Sequence, residues 1–271
     1  MTLFDTHAHL DQLPDVDAAI DRARDVGVVG IVAVGTDVAC NEKTLHIAEK
    51  WMGLVHPAIG VHPCHLAGCD ATAIEREVRF VEDNLSAACA IGEVGLDYHK
   101  RTLADVSKES QQEVFARLLA LAASAQCPVL IHSRYAWTDA LRLVLESHVG
   151  SAVFHWFTGF SSVLHGIMDA GFYVSATPAA EYHEEHRRAV RAVPLGQLLL
   201  ETDAPVWYGR DVRYESCPAD VVRSLKAVAE LRGESEETLA VTTTRAARRL
   251  LGGTVSPAIE EGMEHGTGYR W

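Results

Sequence analysis

No run of apolar residues in this chain approaches the ~18 that a membrane-spanning helix needs, which excludes helical spans. The opening residues Met1-Thr2-Leu3-Phe4-Asp5 carry neither a basic start nor an apolar signal core, which points away from secretion. Cysteine is scarce: Cys40, Cys64, Cys69, Cys89, Cys127 and Cys217 are scattered, with no CxxC pair. That excludes a zinc finger and a disulfide framework, and it fits free thiols in a reducing cytoplasm. No GxGxxG or GxxxxGK[ST] follows the first apolar run, so neither of those nucleotide cradles is present. Positive charge is short as well, with 24 Lys and Arg against 37 Asp and Glu and a formal net charge of −13. Such a chain repels polyanions at long range and does not coat duplex DNA, although a local cationic pocket for a strand end remains compatible with it.

Histidine is abundant instead, at 14 of 271 residues. Hydrophobic residues at 48% and charged residues at 23% are ordinary for a globular chain. At this length roughly 73% of the unfolded surface is buried on folding, enough for a large core without staples. Short β-rich apolar runs recur at 2–5, 28–34, 54–60, 88–93, 128–132, 152–155, 172–175 and 197–201. Helical spacing fills the gaps, most clearly at 110–125, 139–147, 183–193 and 219–232. Eight strands alternating with helices over ~250 residues predict an α/β fold, a single (β/α)8 TIM-type barrel. An open doubly wound sheet is the alternative. A last helix near 236–251 would close the barrel. Residues 1–252 then form one domain, and the composition shift after Gly252 marks 253–271 as a polar, flexible C-terminal tail.

The histidines and acids fall where these runs end. His7 and His9 are two apart at the end of the first run, so they face one side of a strand. Glu93 follows Cys89-Ala90-Ile91-Gly92, and a carboxylate there is costly unless it meets a cation. His132 follows Pro128-Val129-Leu130-Ile131, His155 follows Ala152-Val153-Phe154, and Asp203 follows the last run. Taken singly, each has a plainer reading as a hydrogen-bonded core residue, an ion-pair partner or a helix cap. Jointly they stand at C-terminal strand ends, which form the active-site face of a barrel. Four imidazoles and two carboxylates can hold two divalent ions with one carboxylate bridging. Nitrogen and oxygen donors without thiolate suit Zn²⁺, Mn²⁺ or Fe²⁺, and allow Mg²⁺.

At this point the chain resembles the TatD-type metal-dependent nucleases of the amidohydrolase superfamily. The resemblance rests on six ordered blocks: Phe4-Asp5-Thr6-His7-Ala8-His9-Leu10, Gly60-Val61-His62-Pro63, Ile91-Gly92-Glu93-Val94-Gly95-Leu96-Asp97-Tyr98, Pro128-Val129-Leu130-Ile131-His132-Ser133-Arg134, His155-Trp156-Phe157-Thr158-Gly159 and Leu200-Glu201-Thr202-Asp203-Ala204-Pro205. It implies a deoxyribonuclease that hydrolyses phosphodiesters from the 3′ end with two divalent ions (Mg²⁺, Mn²⁺ or Zn²⁺), and DNA, with single-stranded ends preferred, as partner. His7, His9, Glu93 and Asp203 would hold one ion. Glu93 would bridge to a second ion held by His132 and His155. Asp203 would accept the water proton, with Glu93 also catalytic, and His62 and Arg134 would contact substrate. Tyr98, Trp156, Trp207 and Tyr208 are candidates for stacking on bases. The chain departs from the family pattern at Trp156, where a Cys is usual, at Ala246, where an Asn is common, and in the loop after Pro205. Two other readings stay open: an ester, lactone or acyl-tRNA hydrolase on the same site, and a non-catalytic partner in a DNA-processing or defence assembly.

Overall fold

A computed structural model describes residues 1–252; the tail expected over 253–271 lies outside the described residues. Eight parallel strands pair in sequence order: β1 (Leu3–Ala8), β2 (Val28–Val34), β3 (Val55–Ile59), β4 (Ala90–Asp97), β5 (Val129–Arg134), β6 (Ala152–Phe154), β7 (Tyr173–Ala176) and β8 (Leu198–Leu200). Around them lie α1 (Val16–Asp25), α2 (Val38–Lys50), α3 (Ala71–Asn84), α4 (Thr102–Asp105), α5 (Lys108–Ala125), α6 (Trp137–Ser147), α7 (Ser161–Asp169), α8 (Glu184–Ala192), α9 (Val221–Arg232) and α10 (Glu236–Leu250). The expected barrel is therefore present. Asp15, Asp37, Asp70, Ser107 and Ser235 start α1, α2, α3, α5 and α10 by accepting a first-turn N–H. The loop after Pro205 contains a short antiparallel hairpin, β9 (Trp207–Tyr208) with β10 (Tyr214–Glu215).

Alternation along the strands makes two layers. Phe4, Val32, Val34, Ala58, Ala90, Leu130, Val153 and Leu199 fill the barrel interior. Leu3, Ile31, Ile59, Ile91, Val129, Ile131 and Leu198 face outward against helix residues such as Ile20, Leu118, Val144 and Leu225. Closure between β8 and β1 occurs just beyond the end of β8. His9 N–H donates to Ala204 O (2.8 Å) and Asp203 N–H to His7 O (2.8 Å). The Thr202 N–H and hydroxyl both donate to the buried Asp5 carboxylate (2.9 and 2.6 Å). At the opposite end α10 seals the interior: Ala246, Ala247 and Leu250 pack in the interior cluster with Phe4 and Leu199. Ala246 is fully buried there.

His186 on α8 ties the site-bearing end together. Its Nε2 accepts the Thr177 N–H (3.2 Å), and its Nδ1 lies 3.1 Å from Phe157 O, which can only accept. Both nitrogens are thus matched to the neutral ring. Burial pushes its pKa down to about 4, below the ordinary ~6.5 of an unfolded chain. Between those values the unfolded state binds the extra proton, so stability rises with pH over this window. The contribution is full above pH ~6.5 and is lost as pH falls towards 4, by roughly 3 kcal/mol. A ring-nitrogen NMR titration should show His186 neutral down to pH 5; titration near 6.5 would contradict this packing.

Candidate metal centre

Simple alternation does not bring His7 and Glu93 inward. On β1, Leu3 faces outward and Phe4 inward, yet Ala8 and Leu10 again pack in the outer layer. The parity changes at a register shift between Asp5 and Ala8. On β4, Ile91 and Val94 both face outward, and a register shift lies between them. Such irregularities re-aim a side chain; here they turn His7 and Glu93 into the mouth. Glycine permits it on β4. A Cβ on Gly92 would stand 2.5 Å from Leu130 Cβ, and one on Gly95 2.0 Å from His132 O. His132 and His155 need no such device, because they follow inward Leu130 and Val153 by two residues. β1 and β4 also run past the apolar runs predicted for them, to Ala8 and Asp97, because neighbouring strands supply ladder partners there (Ala8 with Ala33, Asp97 with Arg134).

All six expected ligands come together. His7 Nε2 and His9 Nε2 are 3.4 Å apart. Each lies 3.4–3.6 Å from Glu93 Oε2 and from Asp203 Oδ1. Separations of this size are those of neighbouring donors on one ion with bonds of about 2.1 Å, close to Zn–N and Zn–O bond lengths. Glu93 Oε1 points the other way, 2.8 Å from both His132 Nδ1 and His155 Nε2, which are 3.5 Å apart. One carboxylate therefore faces a separate histidine pair with each oxygen.

The far sides of the rings set their tautomers. His9 Nδ1 lies 3.1 Å from Val34 O, an acceptor, so it carries the proton and leaves Nε2 free as a ligand. His155 Nδ1 faces Glu201 Oε1 at 3.5 Å, and His132 Nε2 faces Asp97 Oδ2 at 3.4 Å. A carboxylate behind a ligand histidine orients it and raises its basicity. Neither Glu201 nor Asp97 is among the candidates picked from the sequence. The available signal was the one that marks Glu93, an acid directly after a buried apolar stretch.

His62 differs from the six. Its Nδ1 accepts the Cys64 N–H (3.1 Å), which places its proton on Nε2, the atom aimed at Glu93 Oε1 from 3.8 Å. Burial pushes its pKa down to about 3. It is a neutral N–H donor facing the centre, not a free lone pair. Arg134 is half-exposed, with Nη1 3.8 Å from Asp97 Oδ2. Both line a cavity of about 1220 Å³ shared with His9, Glu93, His132, His155 and Asp203.

Charge balance follows from burial. Burial opposes ionisation of Glu93, yet the imidazoles of His155 and His132 hold its carboxyl well below the usual range. Burial likewise opposes a proton on His9, but the Asp203 and Glu93 carboxylates outweigh it and hold His9 at about 10. A cation at these donors has to displace imidazole protons, so its affinity rises with pH.

Of the four aromatic candidates, only Trp156 lines the cavity. Tyr208 is fully buried, and its hydroxyl donates to Thr202 O (2.8 Å). The Tyr98 hydroxyl donates to Asp139 Oδ2 (3.0 Å), and Trp207 sits exposed on the hairpin. These three are committed to packing or to the outer surface, which backbone position alone does not reveal.

The TatD related DNase family model matches residues 4–252. The chain is 33% identical over 260 residues to the uncharacterized metal-dependent hydrolase YabD of Bacillus subtilis strain 168, covering 92% of this chain and 98% of that protein. It is 33% identical over 253 residues to the 3′-5′ ssDNA/RNA exonuclease TatD of Pantoea ananatis, covering 88% and 94%. The crystal structure of YjjV, a TatD homolog of Escherichia coli K12, matches with a TM-score of 0.81 at 26% identity, covering 92% and 97%.

Proposed function

The chain belongs to the TatD-related DNase family of metal-dependent hydrolases, and from that premise we propose that it is a two-metal exonuclease acting on the 3′ ends of single-stranded DNA. The carrying observation is the division of Glu93, with Oε2 towards His7 and His9 and Oε1 towards His132 and His155. In this reading His7, His9, Glu93 and Asp203 hold one cation, and Glu93, His132 and His155 the other. Mg²⁺, Mn²⁺ or Zn²⁺ held there supplies Lewis-acid charge at phosphoryl oxygens and acidifies water.

The protein's own groups do the rest. Burial resists charge on Asp203, but His9, His7 and His155 keep its carboxyl below the ordinary range. Ionised, it accepts the proton of the attacking water. The Arg134 guanidinium, only loosely paired with Asp97, keeps donors for a phosphate. The neutral His62 Nε2–H donates to a phosphoryl or leaving oxygen without adding charge. A site in a barrel mouth suits a strand end better than a duplex interior, and the net charge of −13 disfavours tracking along duplex. The single-strand name of the Pantoea relative supports the same choice.

The test is nucleotide release from a labelled single-stranded oligonucleotide after chelation, with Mg²⁺, Mn²⁺ or Zn²⁺ added back. Expected is metal-restored trimming from the 3′ end, faster on single strands than on blunt duplex. A protein that keeps stoichiometric metal yet releases nothing would overturn the reading in favour of a small ester, lactone or acyl-tRNA substrate.

A further inference from the structure

Two large aromatic rings stand open in the wall of the same cavity. Tyr135 follows β5 and is 60% exposed; Phe160 precedes α7 and is 63% exposed. Rings of this size ordinarily supply core packing, so exposed ones lining a cavity are informative. Both are held in place. Trp137 sits edge-on against Tyr135 (centroids 5.7 Å, 65°) and against Phe160 (5.6 Å, 80°). On its other side Tyr135 lies nearly parallel to the His99 ring (5.9 Å, 25°).

The backbone points to the same wall. Five non-glycine residues among those described have positive φ. Gln126 and His148 are left-handed helix ends, after α5 and α6. The other three, Tyr135 (φ 57°), Trp156 (φ 40°) and Asp203 (φ 51°), all line the cavity. A turn needing only that conformation is least strained with glycine or asparagine. A bulky aromatic held there instead is the kind of outlier that gathers at functional sites. Cations share the wall: Arg134 immediately precedes Tyr135, and Arg188, which also donates to Gly159 O, lines the same cavity. Rings for bases beside cations for phosphates are how proteins bind single strands without reading sequence.

We propose that Tyr135 and Phe160, braced by Trp137, form a stacking shelf for the bases next to the scissile phosphate of a single strand; this rests on the nuclease reading above. Bases inside a duplex are already stacked and cannot reach the shelf. It therefore favours single-stranded or frayed ends and tolerates any base.

The test uses the full chain with Tyr135→Ala, Phe160→Ala and the double substitution. KM on a single-stranded 12-mer should rise by about 10-fold per ring, while kcat falls far less. Tyr135→Phe and Phe160→Tyr should restore KM. An abasic residue at one of the last three positions should cost wild type a similar factor and cost the double variant little. A 2-aminopurine at that position should lose fluorescence on binding wild type and keep it with the double variant. Tyr135→Gly should gain thermal stability while losing affinity, a combination that a purely structural role does not produce. Cleavage at a normal KM by the double variant, or equal abasic penalties in both proteins, would overturn the shelf and leave the nuclease reading standing. Wild type that neither cleaves nor quenches would overturn both.

Discussion

Glu93→Ala should abolish hydrolysis and lower the metal content at both positions together. Its two oxygens face different histidine pairs, so one truncation removes a ligand from each side. Loss of a partner behind a ligand typically costs about 10–100-fold in metal affinity or activity, and loss of a direct, shared ligand should exceed that range. The barrel should still fold. Without the Glu93 charge the imidazoles that balanced it shed protons, while His9 stays paired with the Asp203 carboxylate, so no uncompensated buried charge remains. Metal stoichiometry by mass spectrometry, circular dichroism and oligonucleotide cleavage form the measurement. Near-normal activity with unchanged metal content would sink the two-metal reading.

Asp203→Asn should lower kcat by about 10²–10⁴-fold, the range associated with losing a general base. The substitution is nearly isosteric, and asparagine tolerates the left-handed conformation that Asp203 adopts at φ 51°. The Asp203 N–H bond to His7 O that helps close the barrel is also kept. What is removed is the negative charge and the proton acceptor. The expected pattern is therefore a fall in kcat with thermal stability within a few degrees of wild type. A variant keeping more than a tenth of wild-type kcat would assign the proton to another group.

The gap between strand pattern and observed orientation is most instructive at three residues. His132 and His155 were legible because each follows an inward apolar residue by two, so period-2 alternation alone aims them into the mouth. Glu93 follows Ile91 by two, and Ile91 faces the helices; alternation alone would aim Glu93 outward. The reversal falls at the register shift in β4, where Gly92 and Gly95 lie close against β5.

By itself, then, the sequence determined the barrel and its candidate ligand residues. Those depend on local order: apolar runs at strand length, helical spacing between them, and polar residues where the runs end. Tertiary structure decided which atoms meet. The shifts that re-aim His7 and Glu93 arise from pairing with neighbouring strands. The tautomers of His9 and His62 are set by Val34 O and the Cys64 N–H, groups brought to them by the fold. The aromatic wall differs from the one expected because burial is a property of the assembled fold. Tyr208 is enclosed while Tyr135 is left open, and nothing in the one-dimensional order of the chain separates two tyrosines by what packs over them.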